Sequence, residues 1–203
     1  MSGPPPPTGH VWYVSYGSNM SLDRFSCYLR GGTAPGAKRP NQGCRDPSPP
    51  LASQRLTIGY PIYFHGESPT WGGGVAFMDH RFDEDDASLA RGHLISLEQL
   101  GDVLAQEGRR PVGGSVDERI VAALRSGERV TVGDGWYDTL VPLGEVDGHP
   151  AVTFTAAWSR HQVTESEPSE VYLASLVTGL LEAWAMSTDD AYRYVRERIA
   201  PPP

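Results

Sequence analysis

Cysteine is nearly absent from this chain: Cys27 and Cys44 are the only two among 203 residues. Two thiols close one bridge at most, which excludes a disulfide-stapled scaffold. Neither lies in a Cys-x-x-Cys pair or beside a His or an acid, so they read as free thiols of a reducing compartment, the cytoplasm. Basic charge is short as well, with 17 Lys and Arg against 25 Asp and Glu for a net charge of -8. A nucleic-acid partner needs clustered cations to meet phosphates, and the densest basic cluster here is the dipeptide Arg109-Arg110. No apolar run approaches the ~20 residues of a membrane span, which argues against a membrane partner. The start of the chain has neither the basic stretch nor the apolar stretch of a secretory signal. The six histidines never fall at ligand spacing, so no metal is expected. A phosphate-binding Gly-rich loop with Lys and a Gly-x-Ser-x-Gly elbow are both missing, which weighs against nucleotides and serine hydrolysis.

What is present is one domain of ordinary size, expected over 10–200. Proline-rich tails at 1–9 and 201–203 read as disordered. β-Branched and aromatic residues predict strands near 10–16, 55–64, 74–78, 90–95, 129–132, 136–143 and 151–158. Caps predict the helices. Ser21 precedes Leu22, Phe25 and Leu29, while Ser96 with Gln99 forms a capping box before Leu97, Leu100, Val103 and Leu104. Ser115 with Glu118 repeats that device, and Gly127 ends the helix. An apolar helix is expected over 167–186, followed by a last one capped by Ser187 or Thr188. Many strands with few crossover helices imply an α+β fold: a mixed, largely antiparallel sheet or small barrel with flanking helices. No heptad or long exposed apolar face sets an oligomeric state.

Three segments can carry chemistry. Tyr16-Gly17-Ser18-Asn19-Met20 turns from an apolar strand into a capped helix, so its N–H groups converge as an anion site would require. An ordinary capped turn fits the same residues. Glu107 ends the Ser96 helix before Gly108, a left-handed cap in expectation. There it faces the negative end of the helix dipole, which raises a carboxyl pKa toward that of a general base. A solvated surface Glu is the commoner reading of such a position. Trp71-Gly72-Gly73-Gly74 enters a strand, and such glycines allow either a close-approaching ligand or a plain loop.

Together these segments resemble the gamma-glutamylcyclotransferase family. The family's Tyr-Gly-Ser-Asn loop is matched by Tyr16-Gly17-Ser18-Asn19 with apolar Met20 after it, and its Trp-x-Gly-Gly stretch by Trp71-Gly72-Gly73-Gly74. Its helix closing on Glu-Gly is matched by Glu107-Gly108, its Gly-x-Tyr pattern by Gly135-Trp136-Tyr137 and its Pro-Ser-x-x-Tyr helix start by 168–172. The likeness runs in order across 11–185. It implies that Glu107 is the catalytic acid/base and that Tyr16, Gly17, Ser18, Asn19, Met20, Gly74, Tyr137, Trp158 and Tyr172 bind substrate. Trp158 stands where a pocket tyrosine is expected, so the wall loses a hydroxyl. The implied reaction is intramolecular aminolysis of a small-molecule γ-glutamyl amide to 5-oxoproline and a free amine or amino acid, with no metal or cofactor. The resemblance leaves open a γ-glutamyl acyl transferase or amidohydrolase acting on a specialised metabolite, and a silent binding module. Two further departures are an enlarged loop at 31–53 and an extra helix at 115–126, expected either as a lid that selects the leaving amine or as a surface ornament.

Overall fold

The computed structural model describes residues 9–199, so the tails at 1–8 and 200–203 lie outside the described residues. Strand β1 (His10–Ser15) sits inside a six-stranded sheet ordered β2-β5-β1-β8-β7-β6. The others are β2 (Ala52–Ile58), β5 (Ser88–Ser96), β6 (Val130–Thr131), β7 (Thr139–Val146) and β8 (His149–Thr155). Only β1 and β8 pair in parallel; the other neighbours are antiparallel. A separate hairpin of β3 (Ile62–His65) and β4 (Val75–Met78) completes a curled, half-barrel arrangement flanked by helices.

Strand alternation explains why β1 is buried on both faces. Val11 and Tyr13 point into one core, with Phe25, Leu29, Leu100, Val103 and Ile120. Trp12 and Val14 point into the other, with Phe64, Phe77, Tyr172 and Leu176. The first core is covered by α1 (Leu22–Arg30), α2 (Leu97–Glu107) and α3 (Glu118–Ser126), the second by α4 (Glu170–Trp184), α5 (Thr188–Arg196) and the hairpin.

The caps formed as their chemistry demands. Ser21 accepts from the Arg24 amide, and Ser96 with Gln99 closes a reciprocal box. Three expectations are corrected. The strand expected over 55–64 is two, because the chain turns at Gly59 against the Phe82 ring and Pro61 has no N–H to donate. Asp117, not Ser115, caps α3, since its carboxylate accepts from the Arg119 amide and also pairs with that guanidinium. Gly108 has φ -78, so it is not left-handed. Arg109 takes that role with φ 55, and the amides of Arg109 and Arg110 bond back to Gln106 and Ala105 in a Schellman closure.

Helix α4 is pressed against a short 3-10 turn, Ser18–Met20, that follows β1. Gly179 makes this approach possible: a Cβ there would lie 2.6 Å from Met20 Cβ and 2.9 Å from the Ser21 amide. One turn on, Glu182 accepts from Ser21 Oγ and the Leu22 amide, holding a negative charge at the start of α1. Gly179→Ala therefore destabilises the fold by about 1–3 kcal/mol through overpacking against backbone. Urea unfolding checks this: the midpoint falls while the slope is unchanged.

Candidate active site

The turn at the end of β1 forms one wall of a cleft of about 870 Å³. Tyr16, Gly17, Ser18 and Asn19 line it from β1 and the turn, Glu107 from the end of α2, Tyr137 from the approach to β7, and Tyr172 from the first turn of α4. Elements distant in sequence are thereby brought to one point. The turn's own hydrogen bonds, Met20 N to Gly17 O and Ser21 N to Ser18 O, use the later amides. The Ser18 amide is left beside the Tyr172 hydroxyl.

Glu107 is open to the cleft and otherwise surrounded by protein. Asn19 Nδ2 donates to its Oε1 at 3.3 Å. Burial pushes its carboxyl above the usual carboxylate range, while the Tyr28 hydroxyl, the Arg24 guanidinium and the Asn19 amide oppose the rise. Loss of hydration, more than the helix dipole, is thus what raises it. The surrounding tyrosines are held protonated. Burial lifts Tyr172 to about 12 and pushes Tyr16 and Tyr137 well above the usual tyrosine range, so they stay protonated. Their hydroxyls are tied to backbone: Tyr16 to Phe154 O at 2.7 Å, Tyr137 to Ala76 O at 2.8 Å, and Tyr172 accepting from Ala76 N at 3.1 Å.

Three expected site residues do not line the cleft. Met20 is 1% exposed and packs into the core beneath α4. Gly74 is a glycine because a Cβ would lie 2.3 Å from Ser166 O, so chain crowding and not a bound group accounts for it. Trp158 lies beyond the end of β8, packed against His65 and Phe77. The aromatic wall is completed instead by Trp136, edge-on to Phe77, and by Phe154. Of the two expectations for the helix at 115–126, lid or surface ornament, neither describes its place. Cleft residues stop at Pro111 and resume at Gly135, and α3 packs by Ile120 and Ala123 against β6, β7 and β8. Its apolar face meets the core shared with Val11, Leu140 and Phe154. The enlarged loop does reach the site through Arg39, Pro40, Asn41 and Gln42.

Sequence reading missed Arg24 and Tyr28 on α1, and Tyr13 on β1, all of which line the cleft. Arg24 and Tyr28 stand four apart on one helix face, a spacing visible in the sequence. The apolar stripe of Phe25 and Leu29 on the same helix is the stronger periodic signal and masks that pair.

Behind the turn, His93 is completely buried. Its Nε2 lies 2.8 Å from Asn19 O, its Nδ1 3.0 Å from Ser53 Oγ, and its ring stacks on Phe25 at 4.2 Å. A carbonyl only accepts, so Nε2 carries the proton and the neutral ring accepts from Ser53. Burial lowers its pKa to about 4, with Arg91 adding to the effect and the Asn19 carbonyl opposing it. Its folded pKa lies below the unfolded value, so the unfolded chain binds the extra proton between about pH 6.5 and 4. Stability contributed by neutral His93 is therefore full above that window and lost as pH falls through it, on the order of 3 kcal/mol in all. His93→Gln removes this slope. Unfolding free energies of the two proteins, compared from pH 7 to pH 4, check it.

Among the described residues, no group of three or more His, Cys, Asp or Glu is placed to hold a metal ion, and no helix is long and apolar enough to cross a membrane. No family model matches the chain. It is 33% identical over 205 residues to Histone deacetylase 5 of Arabidopsis thaliana, covering 95% of this chain and 31% of that protein. The chain thus spans about a third of that relative's length. Two solved structures are similar at 17% identity. One is an uncharacterized protein from Homo sapiens, with a TM-score of 0.54 over 96% of this chain and 90% of the other. The second is a gamma-glutamyl cyclotransferase, with a TM-score of 0.51 over 95% and 89%.

Proposed function

From the premise that this chain has the fold of gamma-glutamyl cyclotransferase, we propose that it converts a γ-glutamyl amide into 5-oxoproline and a free amine or amino acid. The observation that carries this reading is the Glu107 carboxyl, raised by burial and hydrogen-bonded to Asn19 in the turn that ends β1.

The substrate holds its nucleophile and electrophile on one chain, so the protein's first task is to fold the glutamyl group into a near-attack shape. The tyrosines and Trp136 supply rigid walls for that. Glu107 takes a proton from the α-ammonium, and the freed nitrogen attacks the side-chain amide carbonyl. The developing oxyanion is met by amides of the Gly17–Asn19 turn. As the tetrahedral adduct collapses, the amide C–N bond breaks. Two protons pass in all from the ring nitrogen to the departing nitrogen, which leaves as an ammonium, and Glu107 ends unchanged. A base with its pKa moved toward neutrality suits both transfers. Two free cysteines fit a reducing, cytoplasmic setting. Selection of the leaving amine falls to the loop residues Arg39, Asn41, Thr70 and Trp71, which line the cleft.

The test is 5-oxoproline release from a panel of γ-glutamyl amino acids, γ-glutamyl amines and glutathione. Glu107→Gln keeps the shape and cannot accept the proton, so turnover falls about 10²- to 10⁴-fold; a variant retaining more than about a tenth of the rate removes Glu107 from the mechanism. Tyr28→Phe provides a sign check. The Tyr28 hydroxyl favours charged Glu107, so its loss raises that pKa further, and the acidic limb of kcat/KM moves to higher pH. A limb that stays put or moves down contradicts the assignment.

A further inference from the structure

Arg24 is a buried cation without a counter-ion. It is 6% exposed, lines the cleft, and forms no ion pair among the described residues. Its Nη1 donates to Asn41 Oδ1 at 2.6 Å and its Nη2 to Tyr28 Oη at 3.4 Å, while its Nε is buried with no partner. The guanidinium carbon lies over aromatic rings, 4.7 Å from the Tyr28 centroid and 5.4 Å from that of Trp71. Removing an unpaired charge from water is costly, and the neutral acceptors around it do not cancel that charge. Glu107 is near enough to feel Arg24 but forms no ion pair with it.

A second orphan lies alongside. Asn19 is 5% exposed, and its Nδ2 is spent on Tyr13 Oη and Glu107 while its Oδ1 has no partner. A cation seeking an anion and a carbonyl seeking a donor thus flank the same carboxylate, Glu107. An α-amino acid head satisfies both, because it carries a carboxylate and an ammonium on adjacent atoms.

We propose that Arg24 seats the α-carboxylate of the substrate's glutamyl head while Asn19 Oδ1, beside Glu107, accepts from its α-ammonium. The proposal rests on the cyclotransferase reading and adds to it the residue that orients the nucleophile. The oxyanion is then left to the turn, and a guanidinium seated over the Tyr28 and Trp71 rings has donors to offer a carboxylate. The leaving group's carboxylate, where one exists, makes no use of Arg24.

The test is a binding cycle measured by calorimetry in Glu107→Gln, so that no turnover intrudes. Its ligands are γ-glutamyl-alanine, the analogue with the α-carboxylate converted to a carboxamide, and the analogue with the alanine carboxylate so converted. With Arg24 present, the α-carboxamide is expected to bind about 10- to 100-fold more weakly than the parent. With Arg24→Met, that difference shrinks to within about threefold, the coupling a direct contact requires. The alanine carboxamide changes affinity equally with and without Arg24. Coupling of Arg24 to the alanine carboxylate overturns the proposal, as does failure of γ-glutamyl-alanine to bind. If Arg24→Met does not fold, equal binding of parent and α-carboxamide to the Arg24 protein overturns it without any variant. The expected pattern, together with no 5-oxoproline from wild type, sinks the reaction and keeps the subsite.

Discussion

Everything at the cleft hangs on Asn19 being gripped from both sides. From behind, the buried His93 ring donates to its backbone oxygen; from the front, its side-chain amide reaches Glu107 and Tyr13. A turn held by both main chain and side chain cannot drift relative to the carboxylate it serves. The grip depends in turn on β1 being the strand where the sheet changes sense, antiparallel to β5 and parallel to β8. Its end is therefore walled by α1 and α2 on one face and by α4 and the hairpin on the other. A ligand cleft at such a discontinuity follows the same logic as the crevices at topological switch points of α/β sheets.

The site is assembled against the usual preferences of its parts. Glu107 is partly desolvated in the cleft, Arg24 is buried without an anion, and Arg109 occupies a left-handed conformation that glycine adopts more readily. Such costs persist only where surrounding structure over-determines them. Here Gly179 packs α4 on the turn, Glu182 caps α1, and Arg110 is clamped bidentately by Asp138 at 2.7 Å to each oxygen. Strong packing at the margins sustains weak or unfavourable arrangements at the centre.

How much of this could be read in the sequence follows from the range of each interaction. Caps are local, so Ser21, Ser96 and Ser187 announce their helices, whereas the caps of α3 at Asp117 and α4 at Ser169 are set by the structure. The strand-turn-helix around Tyr16–Asn19 was legible because its geometry is set by a few consecutive residues. Arg24, Trp136 and the true position of Trp158 were not, because each depends on where two remote elements meet. A tryptophan next to a strand end reads the same whether the chain bends toward the cleft or past it. Gly74 was misread for the same reason: a crowding partner 92 positions on, Ser166, leaves no local mark.

The β3–β4 hairpin bears on how the cleft wall is held. It shares no ladder with the main sheet. Thr155 Oγ1 joins it to β8 by accepting from Met78 N and donating to Met78 O, and isolated bridges join it to the segment before α4. Yet the Ala76 backbone anchors both Tyr137 and Tyr172. The cleft wall is thus held by these few bonds and by the fully buried Tyr63, Phe64, Phe77 and Met78, not by strand pairing with the six-stranded sheet. The positions of Tyr137 and Tyr172 are therefore set by core packing as much as by hydrogen bonds, so a loss of volume beneath the hairpin is felt at the cleft as well as in stability.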